Sequence, residues 1–168
     1  GDVYKRQDLK LVGEEKEADQ ALLAAEAGEE KEKDPGFLKG RRIMLVEDNE
    51  LNREIAYELL SESGLIVDVA ENGQDAIKLL GTRPENYYEL IFMDIQMPVM
   101  NGYEATANIR AGKSDYWKNI PVIAMTANVF QEDESRAAEC GMSDYVTKPI
   151  DMNVIYSVLE KWLRGQKG

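Results

Sequence analysis

The 168-residue chain contains no histidine and one cysteine. Without histidine, this sequence can supply neither a phosphohistidine donor nor a histidine-based nucleophilic triad or metal site. A lone cysteine cannot form an internal disulfide, which is typical of proteins in a reducing compartment. No apolar run approaches the length of a membrane-spanning helix. We therefore expect a cytoplasmic location and no direct membrane contact in this fragment, which is compatible with a membrane anchor elsewhere in a parent chain.

Acidic residues outnumber basic ones: the chain has 32 Asp and Glu but 20 Lys and Arg, which gives a formal net charge of −12. Such a balance repels phosphate backbones, so we expect no nucleic-acid binding. A hydrophobic content of 43% is ordinary for a globular core. The length suits one domain with a tail.

The first 39 residues differ in composition from the rest. Residues 8–39 are rich in Glu, Lys and Ala but poor in apolar residues, which predicts an acidic disordered linker. Asp2–Gln7 corresponds to the translation of GATGTGTATAAGAGACAG, a transposon-end adapter of sequencing libraries. We therefore interpret residues 1–7 as an adapter-derived artefact, with an ordinary terminal peptide as the alternative. On this interpretation the reading frame is truncated and a larger protein preceded the linker.

From Arg41 onward, strand and helix patterns alternate five times, which predicts a parallel sheet covered on both faces. We expect strands at 42–46, 65–69, 90–94, 120–124 and 143–146. Helices are expected at about 50–62, 73–81, 103–111 and 129–140, the first carrying Leu51, Ile55 and Leu59 at helical spacing. A fifth helix should turn one stripe inward, formed by Val154, Ile155, Val158 and Leu159.

Acidic residues follow two of these strands. Glu47-Asp48 comes after the apolar run 43–46, and Asp94 ends the run 90–93. If the two strands are adjacent and parallel, the three carboxylates meet at one sheet edge. Their mutual repulsion is tolerable around a hard divalent cation, and Mg²⁺ suits carboxylates. Taken alone, Glu47-Asp48 could instead be acidic residues at a helix start with Asn49 as the cap.

This acidic pair, the single Asp94 and the later Thr147-Lys148-Pro149, in that order, resemble the receiver domain of two-component signalling. The resemblance covers about residues 41–164, and we place the domain at 40–165. It implies an α/β, flavodoxin-like, doubly wound sheet of five parallel strands in the order 2-1-3-4-5, with five helices.

The resemblance also implies a chemistry. Asp94 would accept a phosphoryl group from a phosphohistidine. Asp48 and Asp94 would bind Mg²⁺ directly, Glu47 would act through water, and Gln96 would contribute its backbone carbonyl. No enzymatic activity is expected beyond self phosphoryl transfer and autodephosphorylation. The donor or acceptor would be a histidine kinase or a histidine phosphotransfer protein.

Further site residues follow from the resemblance. Thr126 would donate a hydrogen bond to the phosphoryl group, although a helix-capping role is the simpler alternative. Lys148 would pair with Asp94 and then with the phosphate, aimed by a cis Lys148–Pro149 bond. Tyr145 would be the switching aromatic, its alternative being an ordinary exposed strand residue.

Gln96 and Asn128 match the two positions that tune the lifetime of the phosphate in the family. Neither is a carboxylate or a strong base, so we expect a fairly long-lived phosphoryl state. The implied readout is the helix4-strand5-helix5 surface, including parts of Gln131–Arg136 and the region near Lys161 and Arg164.

Within the family, the sequence segments 47–53 and 125–128 most resemble those of the C-terminal receiver of a hybrid sensor histidine kinase. A stand-alone single-domain response regulator and a non-phosphorylated pseudo-receiver interaction module remain as alternatives. A haloacid-dehalogenase phosphatase is disfavoured, because that class needs a second Asp where this chain has Gln96. A flavodoxin-type FMN protein is disfavoured as well, because Glu47-Asp48 would repel a phosphate.

Overall fold

The computed structural model describes residues 35–112, 114–127 and 134–164. Its centre is a sheet of five parallel strands in the order β2-β1-β3-β4-β5. The strands are β1 (Arg42–Val46), β2 (Ile66–Ala70), β3 (Leu90–Asp94), β4 (Val122–Thr126) and β5 (Asp144–Thr147). The predicted flavodoxin-like fold is confirmed.

Five helices connect or follow these strands: α1 (Glu50–Glu62), α2 (Gly73–Thr82), α3 (Gly102–Arg110), α4 (Glu134–Cys140) and α5 (Met152–Leu159). Two short helices, Pro35–Leu38 and Asp115–Asn119, and a π-helical turn, Glu160–Arg164, complete the described elements. Side-chain oxygens cap several helix starts by accepting a backbone N–H, as at Asn49, Asn72, Asn101 and Asp151. Within the described ranges no helix is long and apolar enough to cross a bilayer.

The structure differs from the prediction at β4 and in the segment before it. β4 was expected at 120–124 but spans Val122–Thr126, and it starts after Pro121 because proline has no backbone N–H for the sheet ladder. The short helix Asp115–Asn119 was not predicted, although the Ser114 side chain that accepts from the Trp117 N–H is an ordinary capping signal.

The buried face of α1 was not predictable from its apolar spacing. Leu51 and Ile55 are 64% and 50% exposed, whereas Ala56 and Leu60 are buried. The apolar spacing located the helix correctly but did not identify its packed side. In α5 the predicted inward stripe is correct for Ile155 and Leu159, and wrong for Val154, which is 45% exposed.

The core lies around β1 and β3, whose apolar side chains are buried on both sheet faces from Ile43 to Val46 and from Leu90 to Met93. Because all strands are parallel, their carboxyl ends lie along one edge, and β1 and β3 are neighbours there. Residues that follow these two strands are therefore brought together. Several predictions fall outside the described residues: segment 1–7, the linker up to 34, and the helix start at 129–133.

Candidate functional site

Three acidic residues meet at the carboxyl edge of the sheet. Asp94 is the last residue of β3, and Glu47 and Asp48 directly follow β1. One carboxylate oxygen from each lies within 4.8 Å of the others. Glu47 and Asp94 are only 2% and 3% exposed, while Asp48 lies at the exposed rim. The structure therefore brings together the acidic residues that the sequence placed at this edge.

Lys148 joins the cluster from the end of β5, the strand at the edge of the sheet. It follows β5, and its Nζ lies 3.0 Å from Glu47 Oε1 and 3.1 Å from Asp94 Oδ1. The Lys148–Pro149 peptide bond is cis, as the resemblance implied. One ammonium group thus contacts two buried carboxylates that belong to different strands.

The electrostatics of the cluster show an excess of negative charge. Burial, and then the neighbouring Glu47 charge, raises the pKa of Asp94 from 3.8 to about 7, against the opposing effect of Lys148. Burial alone would lower the pKa of Lys148, but its hydrogen bond to Glu47 and the Asp94 charge outweigh burial and raise it. A further cation among these oxygens would relieve the remaining repulsion.

Thr126 lies beside Asp94 on the neighbouring strand. Asp94 is in register with Met125, and the next residue, Thr126, is 3% exposed at the end of β4. The carbonyl of Thr126 accepts a 2.8 Å hydrogen bond from the backbone N–H of Lys148. The hydroxyl and ammonium residues are therefore held on adjacent strand ends.

Three further residues were predicted at the site: Tyr145, Gln96 and Asn128. Tyr145 on β5 is 47% exposed, so its ring faces outward in this conformation. Gln96 is exposed, two residues after Asp94. Asn128 lies outside the described residues.

The loop after β3 is tightly constrained. Gly102 N–H donates to Ile95 O at 2.8 Å, and a Cβ at Gly102 would collide with the carbonyl oxygen of Asp94 and lie 2.9 Å from Ile95 Cα. Val99 at the loop tip has φ +68° and is 88% exposed, beside a Met100 N–H to Pro98 O hydrogen bond of 2.7 Å. A β-branched residue in this region of φ is strained.

Sequence reasoning missed three hydrogen bonds that shape the acidic loop. The Asn49 N–H donates to Glu47 Oε2 at 3.2 Å. Arg53 Nη1 donates to the carbonyls of Glu47 and Asp48 at 3.0 and 3.4 Å. One indication of the Arg53 contacts was present in the sequence: Arg53 lies one helical turn after Asn49, close enough to reach back to the loop before the helix.

A known family model matches this arrangement of strands and acidic residues. The model of the response regulator receiver domain aligns with residues 43–160. The chain belongs to this family. The receiver domain thus comprises all five strands and the complete acidic cluster.

Curated relatives of this receiver domain include large kinases. It is 35% identical over 143 residues to hybrid signal transduction histidine kinase L of Dictyostelium discoideum, covering 84% of this chain and 8% of that protein. It is 36% identical over 147 residues to histidine kinase 3 of Arabidopsis thaliana, covering 77% and 14%. The chain therefore spans a small part of the relatives it matches.

Solved structures are similar as well. The receiver domain of sensor histidine kinase PA1611 from Pseudomonas aeruginosa, which has a magnesium ion coordinated in its active-site cleft, is 35% identical with a TM-score of 0.65. That match covers 73% of this chain and 97% of the other. The receiver domain of Saccharomyces cerevisiae Ssk1, in complex with the histidine phosphotransfer protein Ypd1, is 29% identical with a TM-score of 0.66 and coverages of 77% and 92%.

Proposed function

We propose that this receiver domain is the phosphoacceptor of a phosphorelay and that Asp94 carries the phosphoryl group. The convergence of Glu47, Asp48 and Asp94 with Lys148 supports this function most directly. Asp94 is the member of the cluster at the end of the central strand, with its carboxylate in contact with the only ammonium described there. Covalent catalysis of this kind needs a positioned carboxylate and stabilisation of charge on the transferred group.

The donor set fits Mg²⁺, because hard oxygen ligands from a few carboxylates are what this ion takes in proteins. Asp48 and Asp94 would bind it directly, Glu47 through water, and Gln96 through its backbone carbonyl. When bound, Mg²⁺ would neutralise negative charge that develops on the phosphoryl oxygens.

The chain's own groups perform the transfer. An Asp94 Oδ attacks the phosphorus of a phosphohistidine; the new O–P bond forms as the N–P bond breaks, and its electron pair returns to the imidazole. Lys148 then donates to the phosphoryl oxygens as a charge-assisted partner. Thr126 donates its hydroxyl hydrogen to another of these oxygens. No activity on a separate substrate is required.

Phosphorylation would be read at the surface of α4, β5 and α5. A shift of Thr126 toward the phosphoryl group makes room for the Tyr145 ring, which is exposed before the change. The inward turn of Tyr145 alters the surface near Lys161. Gln96 and Asn128 set the lifetime of the phosphoryl group, which we expect to be long. Timing its loss after donor removal checks this, and decay within seconds would contradict it.

The partner is a histidine kinase or a histidine phosphotransfer protein. Leu51 and Ile55 are exposed on α1. Ile55 also lines a cavity of about 70 Å³, together with Glu47, Lys148 and Pro149. This apolar area borders the acidic cluster, where a phosphohistidine-bearing helix must approach. The complex of the similar Ssk1 receiver with Ypd1 supports this kind of partner.

The parent protein is a hybrid sensor histidine kinase, as the similar kinases suggest. In this proposal residues 1–7 are adapter-derived, residues 8–39 are an acidic linker and residues 40–165 are the receiver. A stand-alone regulator is the alternative, and upstream genomic sequence decides between them. A histidine kinase core encoded in frame supports the hybrid protein, and an initiation codon directly before the linker contradicts it.

The central test is incubation with acetyl phosphate and Mg²⁺, followed by intact-mass measurement. We expect the wild type to gain one phosphoryl group and Asp94→Ala to gain none. Glu85→Ala, which removes an exposed carboxylate before the start of β3, at the opposite end of the strand from Asp94, is the matched control and should behave like the wild type. Equal phosphorylation of Asp94→Ala would refute the assignment, and unmodified wild type would favour a pseudo-receiver.

A further inference from the structure

The Arg53 side chain folds back from α1 onto the backbone of the acidic loop. Its Nη1 donates to Glu47 O at 3.0 Å and to Asp48 O at 3.4 Å. The side chain is 16% exposed, and Nη2 lies 3.9 Å from Glu71 Oε2, on a glutamate that is 67% exposed. The main contacts of the guanidinium are therefore the two loop carbonyls, and the ion pair with Glu71 is a peripheral one.

The three carboxylates of the cluster are not restrained equally. Glu47 accepts from the Asn49 N–H and contacts Lys148, which also holds Asp94. The Asp48 carboxylate is exposed, and within ranges 35–112, 114–127 and 134–164 no hydrogen bond or ion pair restrains it. The direction of the Asp48 side chain therefore depends on its own backbone.

Arg53 holds that backbone on both sides. The Glu47 carbonyl belongs to the peptide group before the Asp48 Cα, and the Asp48 carbonyl belongs to the group after it. Fixing both peptide planes fixes φ and ψ of Asp48 and therefore the direction of its Cα–Cβ bond. A charged donor is suited to this, because its hydrogen bonds to carbonyls are stronger than those of a neutral group.

We propose that Arg53 is a positioning residue for the divalent-cation site, which it serves by directing the Asp48 carboxylate toward Glu47 and Asp94. This inference rests on the proposed function, since it assumes that the cluster binds Mg²⁺. Partners of metal ligands typically change metal affinity by about 10–100-fold when removed. Because one of the two contacts is long, we expect the lower end, about tenfold.

The test is titration of the full chain with MgCl₂ by isothermal titration calorimetry at constant ionic strength, with Mn²⁺ binding by electron paramagnetic resonance as a second probe. Arg53→Ala should raise the Kd about tenfold, and Arg53→Lys, which keeps a cationic donor, should recover part of the affinity. Glu71→Gln removes only the outer ion pair and should bind Mg²⁺ like the wild type.

A second measurement separates positioning from a general folding defect. The rate of phosphorylation by acetyl phosphate is followed against Mg²⁺ concentration. Arg53→Ala should need about tenfold more Mg²⁺ for the half-maximal rate and still reach the wild-type maximum. A structural role alone would lower the maximum without moving the Mg²⁺ dependence, and this result would overturn the inference.

Wild-type affinity in Arg53→Ala, or equal weakening in Glu71→Gln, overturns the inference and leaves the proposed function intact. A wild-type chain that binds neither Mg²⁺ nor a phosphoryl group overturns both. Should Arg53→Ala fail to fold, Arg53→Gln replaces it. The expected order of affinity is then wild type, Arg53→Lys and Arg53→Gln, and equal affinities refute the positioning role.

Discussion

Replacing Asp94 by Asn should stabilise the metal-free protein at pH 8. The Asp94 carboxyl is 3% exposed, and its pKa rises from 3.8 to about 7 on folding. Between these values the unfolded chain loses its proton while the native chain keeps it, so stability falls as pH rises. Above pH 7 the whole penalty is present. Asn has the same shape but no charge, which removes the penalty.

The size of the effect follows from the pKa. Each pKa unit corresponds to about 1.4 kcal/mol, so the rise at Asp94 represents at most about 4 kcal/mol. This bound already includes the attraction of Lys148, which lies 3.1 Å from Asp94 and opposes the rise in its pKa. Because the Asn amide is itself a polar group that must be buried, we expect a smaller net gain of about 2 kcal/mol, or a rise in Tm of about 4–8 °C.

Urea unfolding followed by circular dichroism, with EDTA present, measures this difference at pH 5 and pH 8. The gain should be largest at pH 8 and should shrink toward pH 5, where the wild-type carboxyl is protonated. Saturating Mg²⁺ should stabilise the wild type more than the variant. Glu85→Gln, an exposed change of equal charge, controls for net charge. An Asp94→Asn protein that is less stable than wild type at pH 8, or a gain independent of pH, would refute the reasoning.

Two further predictions concern the loop after β3. Val99→Asn should raise the free energy of unfolding by about 1 kcal/mol, because Asn tolerates positive φ and the Val99 side chain is 88% exposed; an unchanged urea midpoint would contradict the strain argument. Gly102→Ala should lower the free energy of unfolding by about 2–3 kcal/mol and slow phosphorylation by acetyl phosphate, because the new Cβ meets the Asp94 carbonyl. Wild-type values of both quantities in Gly102→Ala would contradict it.

The sequence predicted the site best where a charged residue ends a strand or directly follows one. The acidic pair and Asp94 each follow an apolar run, Lys148 follows β5, and a parallel sheet brings the ends of its strands to one edge. The prediction that Glu47, Asp48 and Asp94 converge needed only the adjacency of β1 and β3. Their roles in phosphoryl transfer stay predictions until the mass measurement is made.

Local patterns were less reliable where several helix faces carry apolar residues. On α1, Leu51 and Ile55 have helical spacing, yet Ala56 and Leu60 form the packed face. Spacing alone does not identify which apolar stripe packs against the sheet. The Arg53 contacts were missed as well, because their acceptors are backbone carbonyls, which every residue type has.

The backbone bond from Lys148 N–H to Thr126 O has a mechanical implication. It links the backbones of Lys148 and Thr126, so a displacement of either residue should also move the other. Tyr145 lies on β5, only three positions before Lys148, which directly follows that strand. A small rearrangement at the end of β4 should therefore reach the outer edge of the sheet through the main chain, without any intervening side chain to relay it.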